Sequence, residues 1–345
     1  MLSLPPRLRL LPQSTPVEPL RGSRQLFAHD HLFIKREDLS APVYGGNKVR
    51  NLEFILGDAL ARKAERLVTV APIGSNFTTA LAAQAARFGL PVDVYQFFPR
   101  ASAQMLEHAE FIESQGARIR PHLGPPYLGA ALATLKASVS RSYVIAPGGS
   151  NALGVLGHVS AGLELAQQVR DGEIPEPDLL IVGVGTCGTM AGLLLAMKLA
   201  GLETRIVGVR CVDSIVCNRT RVAHLANRAA RLLGLPPRIE KRDVHIYDPP
   251  YPLRYGQPLN EATELIAEMK CRSGIRLDTT YTSKVALFMR EYLRDPAMTQ
   301  KKVLYWHTYC APVIPARRLD NPRPLPVFSA HDDHLHRRRC MPRER

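Results

Sequence analysis

Leu179-Leu180-Ile181-Val182-Gly183-Val184-Gly185-Thr186-Cys187-Gly188-Thr189-Met190-Ala191-Gly192-Leu193-Leu194-Leu195-Ala196-Met197 runs for 19 residues without a charge. That is long enough to span a membrane as a helix. Its glycines argue against that reading. Leu179–Val184 is a β-branched and aliphatic run of strand length, and glycines at 183, 185 and 188 mark a loop at its end. From Thr189 onward the residues favour helix. A buried strand, a glycine loop and a core helix result, and this unit sets the fold as α/β. The N–H groups and dipole at such a helix start suit an anion, phosphate above all. Gly183–Gly188 also satisfies G-x-G-x-x-G, so a dinucleotide site stays open. The nearest acid for a ribose is Asp213, with Arg210 before it.

The same alternation continues on both sides. Strands are expected at Arg66–Ala71, Pro91–Phe97, Ser142–Ala146, Arg205–Cys211 and Val303–His307. Helices are expected at Val49–Leu60, Ser75–Gly89, Ser102–Gly116, Gly154–Arg170, Arg219–Leu233, Asn260–Ser273 and Ser283–Leu293. Alternating β and α over this length implies mostly parallel sheets. A boundary near Pro147–Gly149 divides two α/β units.

The chain has 345 residues, 46% of them hydrophobic, which is enough for a sizeable core and too rich for disorder. Six cysteines, at 187, 211, 217, 271, 310 and 340, form no C-x-x-C pair and no zinc spacing, so no metal site is expected. Prolines break the N-terminal apolar stretch, and no small-residue cleavage site comes after it. A reducing cytoplasm is the expected compartment, with no membrane attachment. Lys and Arg number 45 against 31 acids, a net charge of +14. The last 30 residues hold eight of the arginines and four acids and read as a solvated extension. No basic motif interleaved with aromatics appears, so no nucleic-acid partner is expected.

Four constellations could carry chemistry. Gly45-Gly46-Asn47-Lys48 comes after a charged turn, Lys35-Arg36-Glu37-Asp38, and precedes a helix. A lysine at a helix start meets partial positive charge, so it is either solvated or holding something, an aldehyde for instance. Gly74-Ser75-Asn76 opens another helix, where a cap is the ordinary reading and an acid/base hydroxyl the functional one. The glycine loop Gly185-Thr186-Cys187-Gly188-Thr189 is the third. Tyr255-Gly256-Gln257-Pro258 and Leu277–Lys284 make the fourth.

In order along the chain, STPVEPL, IKREDL, GGNKVRNLE, GSN, APGGSNALGVLGH, the glycine loop, YGQP, GIRLDTTYTSK and WHT span about Ser14 to Pro312. The set resembles the D-cysteine desulfhydrases and 1-aminocyclopropane-1-carboxylate deaminases. The resemblance implies a pyridoxal 5'-phosphate enzyme of the tryptophan-synthase β-like fold (fold type II), with the cofactor between two α/β domains. It implies a large domain of residues 1–50 plus 158–315, a small domain of 51–157, and a basic extension, 316–345. Lys48 would bond the cofactor's aldehyde, Ser75 would place a hydroxyl near the reacting carbon, and Asn76 would contact the phenolic oxygen. Gly185, Thr186, Cys187, Gly188 and Thr189 would cradle the phosphate. Tyr255 and Tyr281 would face a small amino-acid substrate, and Thr282 and Thr308 would stand near the ring nitrogen. A homodimer is implied too.

The implied reaction is a desulfhydrase-type β-elimination giving pyruvate, ammonia and sulfide. Cyclopropane deamination, a non-catalytic ligand-binding member and a nicotinamide oxidoreductase are the alternatives. Four stretches depart from the family pattern: Cys187 for glycine, Asn51 for lysine, Phe77-Thr78-Thr79 after GSN, and Tyr309-Cys310 for two glycines.

Overall fold

A computed structural model describes residues 5–97, 103–121, 141–251, 255–256 and 258–311. The basic extension 316–345, Cys340 and Gln257 lie outside these residues. The strands form two sheets. The larger has the spatial order β1 (Val17–Pro19), β2 (Leu32–Arg36), β10 (Val303–His307), β7 (Leu179–Val184), β8 (Arg205–Arg210) and β9 (His245–Tyr247). The smaller runs β5 (Arg118–Pro121), β4 (Val92–Phe97), β3 (Arg66–Pro72), β6 (Ser142–Ile145). Every pair in the smaller sheet is parallel. In the larger, β1 and β2 are antiparallel and the remaining pairs parallel. Parallel sheets need cover on both faces. All five residues of β10 and five of the six in β7 are accordingly buried.

The helices are α1 (Ser23–Phe27), α2 (Lys48–Ala61), α3 (Asn76–Ala86), α4 (Ala103–Ser114), α5 (Ala152–Arg170), α6 (Gly188–Ala200), α7 (Arg219–Leu232), α8 (Asn260–Ser273) and α9 (Thr282–Tyr292). Leu179–Met197 is the strand, loop and helix expected: β7 passes into α6 through the glycine loop. Among the described residues no helix is long and apolar enough to cross a membrane.

Helices α2, α5 and α6 approach one another closely. A Cβ on Gly157 of α5 would strike the carbonyl of Arg50 in α2, and one on Gly192 of α6 would strike His158 in α5. Glycine at these two points lets the first turn of α2 lie against the helix that flanks the glycine loop. One expectation changes in detail. Lys35 and Arg36 belong to β2, and only Glu37–Leu39 forms the turn. Strands β1, β2, β5 and β9 and helix α1 have no counterpart in the sequence reading.

Candidate active site

Three chain segments position Lys48. Gly46 N donates to Glu37 O at 2.8 Å, and Asn47 N donates to Thr308 O at 3.2 Å. Ser40 Oγ donates to Gly46 O at 2.9 Å. Gly46 has φ 86°, and a Cβ there would lie 3.0 Å from Thr308 O, so the turn requires glycine. Lys48 therefore enters α2 at the C-terminal ends of β2 and β10, where open parallel sheets bind ligands. Its amine has no hydrogen-bond partner among the described residues. Burial lowers it from the usual lysine range to about 8.

Arg50, two residues on, anchors this turn. Its guanidinium donates to Glu37 Oε2 at 3.0 Å and Oε1 at 2.8 Å, and to Glu164 Oε2 at 2.7 Å and Oε1 at 2.9 Å. Lys35 Nζ reaches Glu164 Oε1 at 2.7 Å, Thr15 O at 2.7 Å and Gln168 Oε1 at 2.6 Å. Two cations thus face two carboxylates in a buried network joining β2, α2 and α5. The hydrogen bonds and charge of Arg50, with help from Lys35, outweigh burial and hold the Glu164 carboxyl down at about 2.

The glycine loop faces Lys48. Asn47 Nδ2 donates to Thr189 Oγ1 at 2.8 Å, and Ser150 and Thr186 share a hydroxyl hydrogen bond of 2.6 Å. A Cβ on Gly188 would lie 2.8 Å from Ser150 Oγ, and one on Gly185 would lie 2.8 Å from Tyr281 Cε1. Neither position has room for a side chain. Cys187 precedes α6 with φ 74°, a left-handed conformation costly for any residue but glycine. Its thiol points at backbone carbonyls, 3.6 Å from Val216 O and 3.9 Å from both Asn218 O and Gly185 O. The departure from glycine therefore adds backbone strain. Cys187→Gly should relieve that strain, keeping or improving cofactor affinity and raising stability by about 1 kcal/mol. Gly188→Val should weaken cofactor binding through Ser150 and the anion. Equal affinities for wild type and Gly188→Val in a cofactor titration would refute this placement.

Opposite the loop, Ser75 precedes α3 in an extended conformation, and its hydroxyl makes no cap bond. The hydroxyl instead interacts with that of Tyr255, which also meets Tyr281. The two tyrosine rings stand edge to face with centroids 6.2 Å apart. Burial pushes both phenols above the usual tyrosine range, so each is a neutral hydroxyl at physiological pH. Asn76 Nδ2 donates to Asp278 Oδ2 at 3.1 Å. Thr282 Oγ1 donates to Asp278 Oδ1 at 2.6 Å and accepts from Asp278 N at 2.7 Å. Thr308 is partly exposed at the end of β10, and its hydroxyl has no partner among the described residues.

Among the remaining departures Phe77, Asn51, Thr79 and Tyr309 are buried. Phe77 is buried, its ring edge 2.6 Å from where a Cβ on Gly149 would sit. Asn51 Nδ2 donates to Gly149 O at 3.1 Å. Thr79 Oγ1 donates to Ser75 O at 3.0 Å and meets His108 Nδ1 at 2.8 Å. Burial lowers His108 to about 4, so it is neutral. Gln104 Nε2 donates to Tyr309 OH at 3.1 Å, and Thr279 N donates to Gln104 Oε1 at 3.0 Å. Helix α4 thereby ties the loop after β10 to the Thr279 turn. Sequence reasoning passed over Asp278 and Gln104. Only the Asp-Thr-Thr-Tyr-Thr string pointed to the former, and nothing local pointed to the latter.

The structure brings the expected residues together: an amine without a hydrogen-bond partner among the described residues, a glycine loop at a helix N-terminus, and two hydroxyl pairs around one cleft. Asp213 has another use, since its Oδ1 accepts from Ile215 N at 2.8 Å within its own turn. Comparisons with known proteins show the family. The pyridoxal-phosphate dependent enzyme family model matches residues 8–308. A D-cysteine desulfhydrase of Serratia proteamaculans (strain 568) is 31% identical over 323 residues, covering 90% of this chain and 95% of that protein. A Pyrococcus abyssi (strain GE5 / Orsay) protein provisionally named 1-aminocyclopropane-1-carboxylate deaminase is 31% identical over 318 residues, covering 91% and 94%. The crystal structure of an ACC deaminase homologue superimposes with TM-score 0.76 at 29% identity, covering 88% of this chain and 91% of that one.

Proposed function

The chain belongs to the pyridoxal-phosphate-dependent enzymes, and from that premise we propose that it removes the β-substituent of a small amino acid, D-cysteine foremost. D-cysteine and water would give pyruvate, ammonia and hydrogen sulfide. The residues fit the cofactor. A lysine amine without a hydrogen-bond partner among the described residues stands at the cleft, and the glycine loop has a helix N-terminus behind it. Gly185 lies against the Tyr281 ring and Gly188 against the Ser150 hydroxyl, so both positions require glycine at the start of that helix. Lys48 would hold the aldehyde carbon, the loop with Thr186 and Thr189 the phosphate, and Asn76 the phenolic oxygen.

When bound, pyridoxal phosphate supplies an electron-withdrawing ring that makes the Cα proton removable and a β-substituent able to leave. The protein's part is positioning and proton transfer. Lys48 Nζ, depressed to about 8, would take the Cα proton in its neutral form, whose share grows as pH rises through about 8. The phenols of Tyr255 and Tyr281, kept neutral by burial, would orient the substrate or carry protons to and from it. Gln104 and Tyr309, bridged to Thr279, would hold the cleft against water.

The observation that carries the choice of elimination is the absence of a carboxylate side chain at both positions assigned to the ring nitrogen. Among the described residues the Thr308 hydroxyl has no partner, and the Thr282 proton is committed to Asp278. A hydroxyl donates to a neutral nitrogen and leaves a weaker electron sink. That suffices for a good thiol leaving group and serves poorly for breaking a cyclopropane carbon–carbon bond. The names of two relatives favour the cyclopropane reading as an alternative.

A panel of D- and L-amino acids with β-substituents, beside the cyclopropane substrate, tests the choice. Sulfide and pyruvate from D-cysteine are expected, with little cyclopropane opening. Protein that opens the cyclopropane readily and ignores every β-substituted amino acid overturns the assignment. No turnover across the panel with cofactor bound would favour a ligand-binding role. The lysine makes a separate prediction. Only the neutral amine attacks an aldehyde, so covalent uptake of cofactor by the apoprotein should accelerate as pH rises through about 8. A stopped-flow pH series reads this, and a midpoint near the ordinary lysine value of 10.5 would contradict it.

A further inference from the structure

Asp278 is 3% exposed, and four donors from two sides of the cleft converge on its carboxylate. From its own side, Tyr281 N and Thr282 N donate to Oδ1 at 3.2 and 2.6 Å, and Thr282 Oγ1 at 2.6 Å. Asp278 thus caps the N-terminus of α9 and holds Tyr281 and Thr282 in place. From the other side, Asn76 Nδ2, on α3, donates to Oδ2 at 3.1 Å. The positive charge of buried Lys284, whose amine donates to Cys211 O at 3.1 Å, interacts with the carboxylate.

A side-chain amide has a donor end and an acceptor end, and a half-turn exchanges them. Carboxylate oxygens only accept. Asn76 must therefore point its nitrogen toward Asp278, leaving its second N–H and its carbonyl for a ligand. We propose that Asp278 is a positioning residue of the active site: through Asn76 it sets the orientation of the amide that meets the cofactor's phenolic oxygen. Through the cap of α9 it also fixes the substrate-facing Tyr281. The assignment rests on the placement of Asn76 against the cofactor.

The experiment titrates pyridoxal phosphate into apoprotein, following the visible absorbance of the bound cofactor and its pH dependence, with thermal melts in parallel. Asp278→Asn keeps a capping oxygen for α9 but turns a donor toward Asn76, whose amide must flip. Asp278→Ser also keeps a capping oxygen and is too short to reach Asn76, so it guards against a folding defect in the first variant. Both should bind the cofactor about ten- to a hundredfold more weakly, as expected for a lost hydrogen bond to a charged group, and should shift the absorbance profile. The exchange Asn76→Asp with Asp278→Asn restores a donor–acceptor pair with the roles reversed. It should recover thermal stability relative to Asp278→Asn while affinity and absorbance stay altered, because a carboxylate now faces the ligand.

Normal loading of wild type beside single variants of equal affinity and spectrum overturns the positioning role alone. An exchange variant that recovers the wild-type spectrum together with its stability also overturns it, because the pair would then be structural only. Wild-type protein that takes up no chromophore overturns the functional reading and this assignment with it.

Discussion

Lys48→Ala should give a folded protein that borohydride cannot mark with cofactor and that turns over D-cysteine at least about a thousandfold more slowly. The size comes from losing the nucleophile and the base together. Wild type, treated the same way, should carry the reduced cofactor on the peptide containing Lys48. With both as apoproteins, the variant should also be the more stable protein at neutral pH. The folded lysine titrates at about 8, below its ordinary 10.5. A group depressed in this way stabilises the fold fully only above its unfolded value, and that contribution is lost as pH falls through about 8. At pH 7 the native state therefore bears the cost of a buried ammonium, which alanine removes. Wild type and variant should converge in thermal midpoint as pH approaches 10.5. A variant less stable than wild type at pH 7 would mean that the amine has a partner in the cleft. Retained turnover would remove Lys48 from the chemistry.

Arg50→Ala should destabilise the protein by about 3–5 kcal/mol, the usual cost of removing one partner from a buried ion network. Glu37, fully buried, and Glu164 would lose a cation that meets each carboxylate twice. Lys35 would remain for Glu164, with no hydrogen bond to Glu37. Urea denaturation reads the loss as a lower midpoint with an unchanged slope. The pH dependence comes from Glu164, held at about 2 in the native state. A depressed carboxylate contributes stability above its unfolded value, near ~4.3, and that contribution is lost as pH falls through about 2. The gap between wild type and Arg50→Ala should therefore narrow from pH 5 toward pH 2. A gap constant over that range would show that the arginine acts by packing. Because α2 begins with Lys48, partial loosening in the variant should also weaken cofactor uptake at temperatures below the melt.

Much of the fold was readable from local pattern. Asn260–Ser273 and Val303–His307 fall where the apolar period and bounding residues place them. Leu179–Val184 also has its expected bounds, because a fully buried parallel strand is nearly continuous in apolar residues. Strand β2 was missed because its last residues are Lys35 and Arg36, which look like a charged turn. They lie in a strand because Glu164, across the fold, neutralises Lys35, and Asp38 pairs with Arg36 at 2.7 Å. Strands β1 and β9 have three residues each, too few for any period to show.

In the site, the residue types that announce chemistry by themselves were visible: a lysine behind two glycines, a glycine loop after a strand, a serine before a helix. Each depends on backbone shape near its own position, which local sequence determines. Tertiary structure decided the rest. It set the Cys187 thiol against the Val216 carbonyl. It set Gly185 beneath the ring of Tyr281, ran Gln104 across to Tyr309, and bound Asn76 to Asp278 across 202 residues of chain. A hydrogen bond between distant segments leaves no periodicity in either one. It forms because two sheets, each folded by its own local pattern, bring a donor and an acceptor into a cleft where water is scarce and neither can be left unpaired.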